Sequence, residues 1–277
     1  MKRGTKLMNK RAGIIAGGGM MPVLVAQSMR EKGLEPVIMC SSQEKLRSPQ
    51  FSSLEEEIRV FELGNLAELT QFIYNKGIGE IVFAGKFPKT DFLQIIPDKA
   101  WAKIFANVSN FQNEEILSAL IEHFEENGIT VSSQAKFLEG LVATSGALVG
   151  QPTKEELEDI AYGFKMAKII ADLDIGQTVV VKKKTVFAVE AIDGTNETLL
   201  RGGKLAQEGA VAVKVSRTNQ DWRVDVATIG AETVKTAIDA GIKVLALEAE
   251  KTILLEKDEA FQLARENGLS IYGYLEK

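Results

Sequence analysis

Histidine and cysteine are nearly absent from this chain, which holds one of each, His123 and Cys40. A single cysteine excludes an internal disulfide and fits a reducing compartment, so the cytoplasm is the expected location. A single histidine argues against a Ser-His-Asp triad, and one Cys with one His cannot build the usual zinc site. His123 itself lies in a helical pattern over 114–127 and reads as a packing or surface residue. Excess positive charge is also lacking: the formal net charge is -5, which argues against a broad nucleic-acid surface. No apolar run reaches the roughly 20 residues that a membrane-spanning helix needs. The basic start is followed by an apolar segment broken by Gly17–Gly19 and Pro22, a poor signal peptide. If the chain is an enzyme, its chemistry falls to carboxylates, lysines, backbone amides and a hard cation.

What is present is ordinary in bulk. The 277 residues are 45% hydrophobic, enough for two domains at roughly 100–200 residues each. Residues 13–19, GIIAGGG, read as a short strand entering a glycine turn. Pro22 opens a helix over about 23–32, Gly33 closes it, and 36–40 is the next strand. This β-α-β opening predicts a Rossmann-like sheet. Gly17, Gly18 and Gly19 precede a helix N-terminus and can offer amides to a phosphate; a tight turn without a ligand is the alternative. The dinucleotide fingerprint is incomplete: Pro22 stands at the third glycine, and 40–42, Cys-Ser-Ser, lacks the ribose-binding acid. Gly85 and Lys86 follow the strand at 80–83, where open sheets place ligands, though a solvated loop lysine explains Lys86 as well.

The small, apolar run 140–150, GLVATSGALVG, marks a domain junction, giving domains at 1–149 and 150–277. Thr153 with Glu156 predicts a capping box, and Leu157, Ile160, Ala161, Phe164, Ala167, Ile170 and Ala171 follow at helical spacing as core. The stretch 174–197, DIGQTVVVKKKTVFAVEAIDGTNE, then predicts a hairpin. Its arms are 178–181 and 185–192, with lysines 182–184 at the tip. Alternation sets Glu190 on one face with Val186, Ala188 and Ile192. A carboxylate there is costly unless paired, protonated or cation-bound; an edge-strand Glu reaching water is the bland alternative. The polar turn after it, Asp193 to Glu197 with Gly194 and Thr195, can surround a ligand. A helix over 197–207 and a strand over 210–215 containing Lys214 come next. In 221–226, Val224 and Val226 share one face of an extended segment, and Arg223 and Asp225 the other. That pair reads equally as a cross-strand salt bridge or as a phosphate clamp beside a metal ligand. The whole predicts an α/β protein: a Rossmann-like N-terminal domain followed by a second α/β domain with a mixed sheet.

Several motifs in order resemble the LpxI family of UDP-2,3-diacylglucosamine pyrophosphohydrolases over nearly the full length: GIIAGGGMMP at 13–22, AGKFPKTDF at 84–92, ADLDIGQTVVV at 171–181, VEAIDGTNETLLRGG at 189–203 and RVDVATIG at 223–230. The resemblance implies hydrolysis of an acylated UDP-sugar to UMP and 2,3-diacylglucosamine 1-phosphate in lipid A synthesis. Water would attack the α-phosphorus with Mg²⁺ present and the ligand between two domains. It implies transient contact with the inner membrane and allows a homodimer. The family's essential aspartate matches Asp225, the first choice for catalysis and metal; Glu190 is the second for both. Lys214 or Arg223 would offset phosphoryl charge, Gln177 would hold a base or sugar hydroxyl, and Gly17–Gly19 would meet a phosphate. Met20, Met21 and 141–148 are candidates for an acyl channel, and Lys182–Lys184 for lipid headgroups; core contact and a solvated tip explain them too. The chain departs from the family at Asn196, where an aspartate is usual, and at Asn113-Glu114, where two aspartates are usual; a metal ligand lost at Asn196 would lower cation affinity. A hydrolase of another nucleotide-diphosphate sugar and a nucleotide- or lipid-binding protein without turnover remain the alternatives.

Overall fold

The computed structural model describes residues 10–41, 58–87, 95–108, 113–224 and 226–276. Contacts divide the chain into two units, one taking in Met1–Leu138 and Trp222–Asp225, the other Glu139–Asp221 and Val226–Lys277.

The first unit is built on five parallel strands: β1 (Arg11–Ala16), β2 (Glu35–Cys40), β3 (Ile58–Val60), β4 (Glu80–Ala84) and β5 (Thr130–Val131). Their order is β3-β2-β1-β4-β5, so chain direction across the sheet reverses between β1 and β4. This is the doubly wound order expected from the β-α-β opening, with its switch point at the glycine turn. The described α-helices are α1 (Met21–Glu31), α2 (Leu66–Asn75), α3 (Lys99–Asn107) and α4 (Asn113–Glu126), with a 3-10 turn at Gln134–Phe137. Pro22 sits in the first turn of α1, where its missing N–H has no intrahelical partner to lose. Asp98 caps α3 by accepting from the Trp101 amide at 2.9 Å. Ile73, Ile81, Trp101, Ile116 and Phe124 close the core between these helices and the sheet. His123 faces this packing: its Nε2 lies 2.9 Å from Thr70 Oγ1, and burial is the main cause that pulls its pKa down.

The second unit carries β6 (Gly146–Val149), β7 (Thr178–Lys182), β8 (Thr185–Val189), β9 (Ala210–Lys214), β11 (Ile242–Glu248) and β13 (Ser270–Tyr274) in one sheet, ordered β6-β13-β11-β9-β7-β8. A short parallel pair, β10 (Thr228–Ile229) with β12 (Ile253–Leu254), stands apart from it. Strands β9, β11 and β13 are parallel, whereas β6, β7 and β8 make the antiparallel pairings, so the sheet is mixed as expected. Both faces are covered. Helix α5 (Lys154–Asp172) lays Ile160, Phe164, Ala167 and Ala171 on Val179, Val181, Val211, Val213 and Val244. Helices α6 (Gly194–Ala206), α7 (Ala231–Asp239) and α8 (Lys257–Glu266) cover Val180, Ala212, Leu245 and Leu247 on the other face. Alternate residues of each strand therefore face different helical layers, and near-continuous apolar runs are the result. The predicted capping box is present, with Thr153 N–H donating to Glu156 at 2.7 Å and Glu156 N–H to Thr153 Oγ1 at 3.3 Å.

Three local expectations are corrected. Strand β8 stops at Val189, so Glu190 lies past the strand end instead of within it. Helix α6 starts at Gly194, so the polar run expected as a turn forms the first helical turn. The extended alternation expected through 221–226 gives way to a turn at Trp222–Val224. There Ser133 Oγ donates to the Trp222 carbonyl at 2.9 Å, and Val224 is buried in the first unit's core.

Candidate functional site

In the first unit the glycine turns beyond β1 and β4 grip each other. Gly17 N–H donates to the Ala84 carbonyl at 2.8 Å, and Gly18 and Lys86 exchange both backbone bonds at 2.9 Å. The approach needs the absence of side chains. A Cβ on Gly17 would stand 2.4 Å from the Lys86 carbonyl oxygen, and one on Gly85 would stand 2.6 Å from that of Gly18. The amides of Gly17 and Gly18 are thus spent inside the protein, contrary to the expectation that they face a phosphate. Gly19, at φ 90°, leads into α1, and the Gly85 amide points at Met21 Sδ, 3.3 Å away. Close strand-end packing is what these glycines serve here. Met21 is buried within it.

The second unit brings four of the expected residues together at the carboxyl edge of its parallel strands. Glu190 is only 9% exposed. One of its oxygens accepts from the Gln177 backbone N–H at 3.1 Å, the other from Thr195 Oγ1 at 2.9 Å. Lys214 Nζ, from the last residue of β9, donates to Thr195 Oγ1 at 2.7 Å. A hydroxyl in the first turn of α6 therefore joins a nearly buried lysine to a nearly buried carboxylate. Gly176 makes the approach possible: a Cβ there would lie 2.3 Å from the Glu190 carbonyl oxygen. Gln177 contributes its main chain to this contact. Beside it, Asp193 Oδ1 accepts from the Ala191 amide at 3.0 Å and Oδ2 from Arg201 at 2.8 Å. The Arg201 hydrogen bond holds the Asp193 carboxyl below the usual aspartate range, against the opposing push of burial. Asn196 Nδ2 donates to Glu232 at 3.1 Å.

A second charged group at the same edge had no signal in the spacing of the sequence. Glu248, the last residue of β11, accepts from Lys168 Nζ at 3.0 and 3.1 Å, from the Ser216 amide at 2.8 Å, and pairs with Lys251 at 3.1 Å. Arg217 and Asp174 form a buried pair at 2.5 Å. Thr218 binds Asp172 through its amide and hydroxyl, both at 2.7 Å. Burial pushes the Asp172 carboxyl up, but those two bonds and the nearby cations bring it below its ordinary value. The one hint was a charged residue ending each of two apolar strands, AVAVK and IKVLALE.

Other expected residues stand elsewhere. Arg223 belongs to the first unit and pairs with Glu125 at 3.0 Å. Asp225 lies outside the described residues. Lys182 Nζ is tied to the carbonyls of Ala206 and Glu208, and Lys184 to Glu158, which occupies two of the three lysines offered for headgroups. Residues 141–148 run into β6, and Ala143 N–H pairs with the Thr252 carbonyl. An apolar cavity of about 60 Å³ opens in the first unit among Ile15, Phe61, Phe83, Trp101, Leu120 and Phe124. A dry cavity that admits benzene measures about 150 Å³, so this one accepts only a few atoms. Among the described residues no helix is long and apolar enough to cross a membrane, and no three His, Cys, Asp or Glu side chains are grouped to hold a metal.

Comparison with known proteins gives a consistent answer for both units. Residues 11–141 match the LpxI N-terminal domain and residues 144–272 the LpxI C-terminal domain. The UDP-2,3-diacylglucosamine pyrophosphatase LpxI of Caulobacter vibrioides is 27% identical, the alignment covering 95% of this chain and 97% of that one. Among solved structures, the biotin carboxylase domain of the Hydrogenobacter thermophilus 2-oxoglutarate carboxylase shares 15% identity over 64% of this chain and 35% of that one. Its TM-score of 0.29 is too low for that likeness to carry an argument.

Proposed function

The chain belongs to the LpxI family, and on that footing we propose that it hydrolyses UDP-2,3-diacylglucosamine to UMP and 2,3-diacylglucosamine 1-phosphate in lipid A synthesis. The observation that carries this reading is the Lys214–Thr195–Glu190 relay. Pyrophosphate cleavage by water puts negative charge on the phosphoryl oxygens, and a fixed positive charge aimed there lowers the barrier most. Lys214 is that charge. It needs no reorganisation, because Thr195 holds its Nζ and Glu190 holds Thr195. The first turn of α6 adds backbone N–H groups that have no partner inside the helix and favour an anion. Asp225 is assigned to the attacking water or to the cation by its place in the family pattern.

Mg²⁺ belongs to the same proposal. Each oxygen of Glu190 accepts one hydrogen bond and keeps a lone pair, and Mg²⁺ commonly takes one or two carboxylates plus substrate phosphates, so the donor set fits without a cluster of three acids. Bound there, the ion would supply positive charge to the diphosphate. Action at the cytoplasmic face of the membrane is also proposed. Its support is that Leu173, Ile175 and Ile192 are 59%, 43% and 68% exposed, the latter two within two residues of the Gly176–Glu190 contact.

Purified protein with Mg²⁺ and UDP-2,3-diacylglucosamine should release UMP, and plain UDP-N-acetylglucosamine should not be cleaved. Cleavage of both would favour a broader nucleotide-sugar hydrolase, and retention without cleavage a binding protein. Asp225→Ala should abolish release with circular dichroism unchanged; full activity in that variant would remove the residue from the mechanism.

A further inference from the structure

We infer that Glu248 and Lys168 are positioning residues that set the place of Lys214, an inference that rests on the role just proposed for Lys214. The link between them is Ser216, two residues past Lys214 and fully buried. All of its polar atoms are held: its N–H donates to Glu248 at 2.8 Å, its carbonyl accepts from Lys168 Nζ at 2.8 Å, and its hydroxyl donates to the Lys251 carbonyl at 2.8 Å. Between the two, the Val215 amide donates to the Gln177 carbonyl at 2.9 Å. The main chain leaving β9 is thus clamped from β11 by Glu248, from α5 by Lys168 and, just ahead of β7, by Gln177, whose N–H binds Glu190. Lys214 projects from the end of a segment that cannot shift without breaking these bonds.

Folding alone does not call for this arrangement. The Lys168 and Glu248 side chains are 17% and 6% exposed. Removing two charges from water is costly, and apolar replacements of the same volume are often no less stable. An apolar pair could not hold both the N–H and the carbonyl of Ser216. The charges supply direction, and a catalytic lysine needs direction, since a shift of about 1 Å can cost roughly 100-fold in rate.

A double-mutant cycle in the full-length protein tests this. Glu248→Gln turns one acceptor oxygen into a donor facing other donors. It should lower kcat about 10–100-fold and change KM by less than about threefold. With Lys214→Met already in place, the same change should cost less than about twofold, because the residue it acts through is gone. Additive losses would overturn the proposal, since a generally loosened fold harms both backgrounds equally. Lys168→Arg should keep most of the rate, and Lys168→Met should behave as Glu248→Gln does, standing in for it if that variant does not fold. An independent readout needs no substrate: the rate of Lys214 acetylation by an N-hydroxysuccinimide ester, followed by peptide mass spectrometry. Lys214 is 7% exposed, and releasing the clamp should raise its labelling several-fold over that of the native protein, since local opening exposes its amine. Unchanged labelling would overturn the positioning role. If the native protein cleaves no UDP-2,3-diacylglucosamine, the functional reading falls, and the labelling still decides the positioning.

Discussion

Thr195 is the residue on which the candidate site turns, because its hydroxyl accepts from Lys214 and donates to Glu190 at once. Valine has the same shape without the hydroxyl. Thr195→Val should therefore lower kcat/KM by about 10–100-fold, and should cost about 1–3 kcal/mol of stability by leaving two partners unsatisfied. Steady-state kinetics and urea unfolding check the two halves separately. Asp193 gives a pH test. Its Arg201 bond depresses the folded-state pKa below the unfolded value, so its stabilisation is complete above the ordinary aspartate pKa of about 3.9 and is lost as pH falls through the folded value. The stability difference between the native protein and Asp193→Asn, measured by urea unfolding, should be constant above about pH 5 and shrink below about pH 4. A difference that grew on acidification would contradict the Arg201 contact.

Among the elements, the β7–β8 hairpin shows how a turn can form without a turn sequence. Lys183 and Lys184 both have positive φ, 50° and 54°, between the paired Lys182 and Thr185. This is the backbone of a two-residue primed turn, where Asn-Gly is the usual choice. Asp159, buried on α5, accepts from the Lys183 amide at 2.8 Å and the Lys184 amide at 2.7 Å, which offsets the strain. Asp159→Ala should cost about 1.5–3 kcal/mol, because hydrogen bonds from two backbone amides to a charged acceptor are lost, and should lower the denaturant midpoint. Lys184→Gly should raise stability by up to about 1 kcal/mol and move the midpoint up with it, since glycine adopts positive φ without steric cost.

At the scale of the whole protein, two measurements address the setting of the proposed reaction. Chelation with EDTA should stop UMP release and added Mg²⁺ restore it; activity undiminished by chelation would remove the cation from the proposal. Among the described residues no helix can cross a bilayer, and the lipid contact proposed above is tested on the exposed Ile175 and Ile192. Replacing both Ile175 and Ile192 by Asp should weaken binding to phospholipid vesicles at least about tenfold, because two apolar side chains each worth about 1.5–3 kcal/mol on full burial would be lost. Flotation reads this directly, and unchanged binding would place the contact elsewhere.

Local signals were enough for the α/β class, the parallel sheet that opens at GIIAGGG, the capping box of Thr153 and Glu156, and the family. Each depends on residues a few positions apart, where periodicity and turn chemistry act. Glu190 was legible as an expensive carboxylate, but what holds it was not. Its partners come from Gln177 and Thr195, and theirs from Lys214, elements joined only by the order of the sheet. The glycines at 17 and 18 read as phosphate amides until the strand beyond them took those amides for itself. Glu248 and Lys168 stand 80 residues apart along the chain, and only the charged end of an apolar strand hinted at the first of them. Which strand ends meet is decided by the packing of whole layers of apolar side chains, and only that packing settles which buried charges find each other.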